Sequence, residues 1–224
     1  MANQPLWNQL VFYFTHNGMY LLQQFGRHFL ISFYGVLLAA AVGIPLGIYM
    51  ANHFHLGDFV ISVANVIQTI PSLAMLSIIM LWLGLGVNTV IVTIFLYSLL
   101  PILKNTYTGM KNVDPNTIDS ARGMGMTTFQ LLYMVKLPLA MSVIMSGIRT
   151  AMVVAIGNTA IGAFVGAGGL GDLIIRGTNA TDGAPLILAG ALPTAVMAIV
   201  TDLIIGLLQK HFEPTGYYKE EEEE

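Results

Sequence analysis

From Phe59 to Leu103 the chain runs 45 residues without an Asp, Glu, Lys or Arg. As helix, at about 1.5 Å per residue, that is far longer than one crossing of a hydrocarbon core of about 30 Å and suits two. The break falls at Leu83-Gly84-Leu85-Gly86-Val87-Asn88, a turn signal at the right distance. Just before it, Phe29 to Ala51 is another uncharged stretch of 23 residues. Composition agrees: 55% of the residues are hydrophobic and 9% charged, against about 25% charged in soluble domains. The expected class is an all-α integral membrane protein.

Five spans are expected, at about 29–51, 59–83, 88–103, 137–165 and 185–208. Gly43, Pro45 and Gly47 in the first are tolerated in membrane helices, where small residues also allow close helix contact. In the second, Pro71 frees a backbone carbonyl that Asn65, Gln68, Thr69 or Ser72 could satisfy. Leu6 to Gln24 mixes apolar and polar residues at helical spacing and carries Trp7, Phe12, Tyr13, Phe14 and Tyr20. This predicts an interfacial helix within an N-terminal segment 1–28. Residues 211–224 form an acidic tail, and its Glu220–Glu224 run supplies much of the net charge of −3. No cleavable leader is expected at the N-terminus.

With the N-terminus outside, Lys104, Lys111, Arg122, Lys136, Lys210 and Lys219 are cytoplasmic, and Arg27 and Arg176 lie on the other side. This bias fits the positive-inside rule and puts the C-terminus in the cytoplasm. Two charges fall inside spans, Arg149 and Asp202. Such charges usually pair, so an ion pair is the favoured reading over a role in transport. Asn65, Gln68, Tyr97 and Asn158 could line a pathway, or serve as helix–helix contacts and interface anchors.

No catalytic constellation is present. There is no cysteine, no Walker motif, no zinc signature and no nucleophile elbow. The Gly166–Asp172 loop is glycine-rich but lacks the Lys-Ser/Thr that completes a phosphate-binding loop. His53 and His55 have no third ligand nearby in sequence, so no metal site is expected. Nothing suggests nucleic-acid binding.

The polar island between the third and fourth expected spans, residues 112–136, carries the most local signal. Asp114 can cap a helix that begins with Pro115. Gly123 and Gly125 break that helix. Thr127 and Gln130 have capping-box spacing, with Met126 and Leu131 at the staple positions. The expected result is a rigid helix–turn–helix knuckle on the cytoplasmic side.

Asp119-Ser120-Ala121, Gly125 and Val135-Lys136-Leu137-Pro138 resemble the Glu-Ala-Ala, Gly, Ile-x-Leu-Pro loop of ATP-binding-cassette (ABC) importer permeases, with the same gaps. Asp replaces Glu, Ser replaces Ala and Val replaces Ile. Val165-Gly166-Ala167-Gly168-Gly169-Leu170-Gly171 resembles the segment after the fourth span in the same family. The resemblance implies a type I importer (MetI-like) permease fold with a cytoplasmic coupling helix. It implies that Asp119, Ser120, Ala121, Gly125, Val135, Leu137 and Pro138 couple the chain to a separate ATPase dimer, which binds the ATP and Mg. It further implies a second permease subunit, identical or not, an extracytoplasmic solute-binding protein and a bacterial cytoplasmic membrane. Gln68–Ala74, Leu100–Gly109, Leu137–Ala140 and Ile144–Arg149 look most like the glycine betaine, carnitine and choline branch. Other small solutes, such as an amino acid, remain alternatives. A secondary transporter or a channel would leave the Asp119–Pro138 pattern unexplained.

Overall fold

Long uncharged stretches leave the backbone no water to bond to, so they coil into helices that satisfy every internal N–H and C=O. The computed structural model describes residues 5–213, with backbone only at Phe54 and His55. Glu220–Glu224 and Lys219 lie outside the described residues. The helices are α1 (Leu6–Met50), α2 (Phe54–Thr69), α3 (Ser72–Leu83), α4 (Val87–Lys111), α5 (Pro115–Gly123), α6 (Thr128–Gln130), α7 (Leu137–Ile161), α8 (Leu170–Thr178) and α9 (Ala184–His211). A π-helical turn, Leu131–Lys136, joins α6 to α7. A 3-10 turn, Gly162–Val165, follows α7. No strand occurs among the described residues.

Among the described residues, four helices are long and apolar enough to cross a membrane: α1, α4, the α6–α7 continuum and α9. The α2–α3 pair makes a fifth crossing only if both arms count as one span, because they meet at 97°. The expected second span at 59–83 thus consists of two arms that bend at Pro71. Pro71 has no N–H, and Ile70 is extended (φ −69°, ψ 127°). The carbonyl that a residue 71 N–H would have bonded, that of Ile67, accepts the Ile70 N–H at 3.3 Å instead, and the Ile70 carbonyl is taken by the Tyr97 hydroxyl from α4.

One correction concerns the N-terminus. The expected interfacial helix 6–24 and first span 29–51 form one helix, interrupted at Asn17 (φ −117°, ψ 19°) and not at Arg27-His28. The reason lies across the molecule, in residues that α1 turns inward. The fully buried His28 donates from Nε2 to the Ile156 carbonyl at 2.9 Å and accepts the Leu170 N–H on Nδ1 at 3.3 Å. Gln24 Oε1 accepts the Gly169 N–H at 2.7 Å. Ser32 and Thr159 hydroxyls meet at 2.7 Å, both fully buried. These bonds tie α1 to α7 and to the glycine loop, where Gly166, Gly168 and Gly169 have φ between 75° and 81°, a region that favours glycine.

Where α8 begins, at Leu170, the sequence suggests a glycine-rich loop through Asp172 rather than a helix. Its buried Leu170, Leu173 and Gly177 recur at helical spacing. On its other face, Asp172 pairs with Arg176 at 2.6 Å and accepts the Tyr20 hydroxyl at 3.3 Å.

The most extensive pairing is α1 on α4, with α7 packed against α4. Gly35, Ala39, Gly43 and Gly47 recur every fourth residue along α1 and are all buried. They let α4 approach so closely that a Cβ on Gly47 would lie 2.7 Å from Thr106 Cβ. The core centres on Ile31, Ala39, Ile94, Ile102, Ala155 and Ile156.

Candidate functional site

The knuckle between α4 and α7 is built from local bonds. Asp114 accepts the N–H groups of Asn116 (3.1 Å) and Thr117 (3.2 Å) and starts α5, with Pro115 in the first helical position. These bonds, the Asn116 N–H first, hold the Asp114 carboxyl below the usual carboxylate range. The helix runs through Gly123, so Gly125 alone ends it. Gly125 donates to the Arg122 carbonyl (2.9 Å) and Met126 to the Ala121 carbonyl (3.2 Å). Those two bonds are the Schellman pattern, with Gly125 at φ 82° in its left-handed position. Thr127 follows at once as a cap. Its N–H goes to Gln130 Oε1 (2.8 Å), and its hydroxyl accepts the Gln130 N–H (3.3 Å), a complete capping box.

One helix end is thus locked to the next start across Met124, Gly125 and Met126. Leu131 is buried and Met126 half-buried. Leu132 and Leu137 pack on Met110, Ala140 and Ile144, which anchors the knuckle to the ends of α4 and α7. The π-helical turn ends where the Leu137 N–H reaches back to the Leu132 carbonyl. It sits just before Pro138, whose ring would crowd the carbonyl four residues back in a regular helix.

Within this frame the motif residues divide. Ala121 is buried, 2% exposed, and seats α5. Asp119, Ser120 and Gly125 are exposed; Val135 and Leu137 are half-buried; Pro138 is exposed. Asp119 and Arg122 approach at 3.7 Å with both side chains open to solvent, a pair worth little by itself. Next to them stands an apolar surface that sequence reasoning did not single out. Met124, Phe129, Tyr133 and Met134 are all more than half exposed, and the Phe129 and Tyr133 rings lie with centroids 4.4 Å apart, tilted by 41°. The available signal was their crowding into a polar island, since exposed apolar groups of this size mark a surface that meets something.

Arg149 and Asp202 come together. Arg149 Nε and Nη2 donate to Asp202 Oδ1 and Oδ2, both at 2.6 Å, joining α7 to α9. The four residues considered for a pathway lie on three helices, α2, α4 and α7. Asn65 and Gln68 are exposed on α2. Tyr97 is buried and committed to Ile70. Asn158 is buried, and its Nδ2 has no partner among the described residues.

The profile described as "Binding-protein-dependent transport system inner membrane component" matches residues 43–214. The chain is 61% identical, over 92% of its length and 90% of the relative's, to the glycine betaine/carnitine/choline transport system permease protein OpuCD of Bacillus subtilis (strain 168). It is 58% identical to the carnitine transport permease protein OpuCD of Listeria monocytogenes, over 92% of each chain. With the choline transport system permease protein OpuBD of Bacillus subtilis (strain 168) it shares 59% identity, over 92% of this chain and 91% of that one. Among solved structures, the inward-facing MetNI methionine ABC transporter superposes with a TM-score of 0.74 at 20% identity, covering 88% of this chain and 98% of that one. That likeness concerns the fold. The long apolar helices, the locked knuckle and these identities lead to one assignment: the chain belongs to the family of binding-protein-dependent transport system inner membrane components.

Proposed function

We propose that this chain is the permease subunit of an ATP-driven importer for a compatible solute such as glycine betaine, carnitine or choline. The observation that carries the solute class is the 58–61% identity, over 92% of the chain, to permeases named for those solutes. Permeases of this family are not enzymes; a partner subunit hydrolyses the ATP. The other partners are a second permease subunit and an extracytoplasmic solute-binding protein. The charge bias favours an outer N-terminus and a cytoplasmic C-terminus.

In this reading Asp119, Ser120 and the exposed Met124–Tyr133 surface seat in a groove of the ATPase. Val135, Leu137 and Pro138 carry the displacement into α7. A knuckle held by a Schellman turn and a capping box moves as one piece, so ATPase closure is passed to α4 and α7 rather than absorbed by a melting loop. ATP binding favours the outward-facing arrangement, and hydrolysis resets it. By linkage, the knuckle must make different contacts in the two states.

The test is solute uptake into vesicles containing the permease, with and without the ATPase, ATP and the binding protein. Glycine betaine, carnitine or choline is expected to accumulate only when all are present. Undiminished flux without the ATPase contradicts the reading. Accumulation of an unrelated solute alone contradicts its solute class.

A further inference from the structure

The Arg149–Asp202 pair is bidentate yet open. Arg149 stands midway along α7, about 18 Å of helix from either end. Although both oxygens of Asp202 are engaged, the two side chains remain 38% and 33% exposed. They form one wall of a groove of about 370 Å³ whose other lining residues are Ser146, Thr150, Val153 and Val154. Gly206 of α9 lies beneath the guanidinium, and a Cβ there would sit 3.2 Å from Nη1. The missing side chain therefore makes room for the fork.

The neighbouring surface supplies the contrast. On α9, the exposed Leu192, Val196, Ile199, Leu203 and Leu207 are all apolar, as a lipid-facing surface must be. The groove wall carries two charges and two hydroxyl-bearing residues instead. A half-open ion pair against hydrocarbon is costly, so this groove faces water or protein at mid-membrane depth. A pair serving only to join α7 to α9 would gain from being closed.

The solute class proposed above explains why it is open. Glycine betaine and carnitine carry a quaternary ammonium at one end and a carboxylate at the other; choline lacks the carboxylate. A guanidinium–carboxylate pair is the complement of such a zwitterion. The solute carboxylate can take Asp202's place on the Arg149 fork, and the released Asp202 then faces the quaternary ammonium. The exchange breaks one opposite-charge contact and makes two, and the lost bidentate pair and the solute's lost hydration offset that gain. Binding is then weak and reversible, as passage requires.

We propose that the Arg149–Asp202 pair is a transit site for zwitterionic quaternary ammonium solutes, opening to receive both ends of the solute and closing behind it. This rests on the importer reading.

The test uses the complete transporter in vesicles with its ATPase and binding protein. The doubly neutral variant Arg149→Gln with Asp202→Asn leaves no unpaired charge. Its glycine betaine and carnitine uptake is expected to fall about tenfold relative to its choline uptake, the scale of one lost charge-assisted fork. An equal loss for all three solutes, or no loss, overturns the proposal while leaving the importer reading intact. If the unaltered complex moves none of the three, it is the importer reading that fails. Thr150→Phe keeps the pair and fills the groove, so it decides the matter if the double variant does not assemble. Reduced glycine betaine and carnitine uptake with a normal complex supports the transit site; unchanged uptake overturns it.

Discussion

Gly125→Pro is expected to abolish ATP-driven uptake while the chain still inserts and accumulates in the membrane. Gly125 sits at φ 82°, and proline is confined to about −65°. The substitution also removes the N–H that reaches the Arg122 carbonyl. The Schellman turn cannot close, so α5 loses its fixed angle to the capping box at Thr127. A 1 Å error in a positioned group can cost about a hundredfold, and transport should fall at least that far. Insertion should survive because nothing lies within 4 Å of a Cβ at Gly125, and the packing of α4 on α7 is untouched. Gly125→Ala keeps the N–H and faces only the left-handed penalty of roughly 1–2 kcal/mol, so partial transport is expected. Uptake assays beside membrane-fraction immunoblots read both effects. Normal uptake in Gly125→Pro would contradict the coupling role of the knuckle.

The opposite outcome, a loss of folding rather than of coupling, is expected from Gly47→Leu. Gly47 closes the small-residue stripe of α1, and even a methyl there meets Thr106 Cβ at 2.7 Å and the Leu103 carbonyl oxygen at 3.3 Å. The second of these is backbone and cannot swing aside. Leucine must push α1 from α4 along the largest helix–helix contact in the molecule. Overpacking alone costs about 1–3 kcal/mol, and loss of the neighbouring contacts at Gly43 and Ala39 adds to it. A large drop in melting temperature in detergent is expected, with little intact permease recovered. Gly18→Leu is the control, because a Cβ at Gly18 meets nothing within 4 Å. Similar stability of the two variants would show that the stripe does not hold α1 to α4.

What could be read before the structure was what is local. The absence of charge from Phe59 to Leu103 marks membrane crossings because lipid accepts little else. Asp114, Thr127 and Gln130 announce caps because each bonds a backbone group two or three residues away. The features that escaped are long-range. Pro71 signals a break, but neither the 97° angle nor the Tyr97 hydroxyl that meets the Ile70 carbonyl from another helix is written in the local sequence. Arg27 and His28 look like a membrane edge, yet His28, with Gln24 one turn before it, bonds a loop more than 140 residues away, and α1 passes through them unbroken. The apolar surface at Phe129 and Tyr133 escaped because burial is a property of the fold. A run such as Phe-Gln-Leu-Leu-Tyr-Met-Val does not say which members face out. Arg149 and Asp202, by contrast, are so costly in a span that their pairing could be anticipated without knowing the geometry.

In the proposed mechanism this subunit is moved from outside itself, through the knuckle. The most direct measurement is site-specific crosslinking from Ser120→Cys to cysteines placed around the groove of the partner ATPase, with and without ATP. Ser120 is exposed, and the native chain has no cysteine to confuse the result. A crosslink whose yield changes between the two nucleotide conditions, in parallel with transport, is the expected result. A knuckle that never crosslinks to the ATPase in a transporting complex would contradict the account.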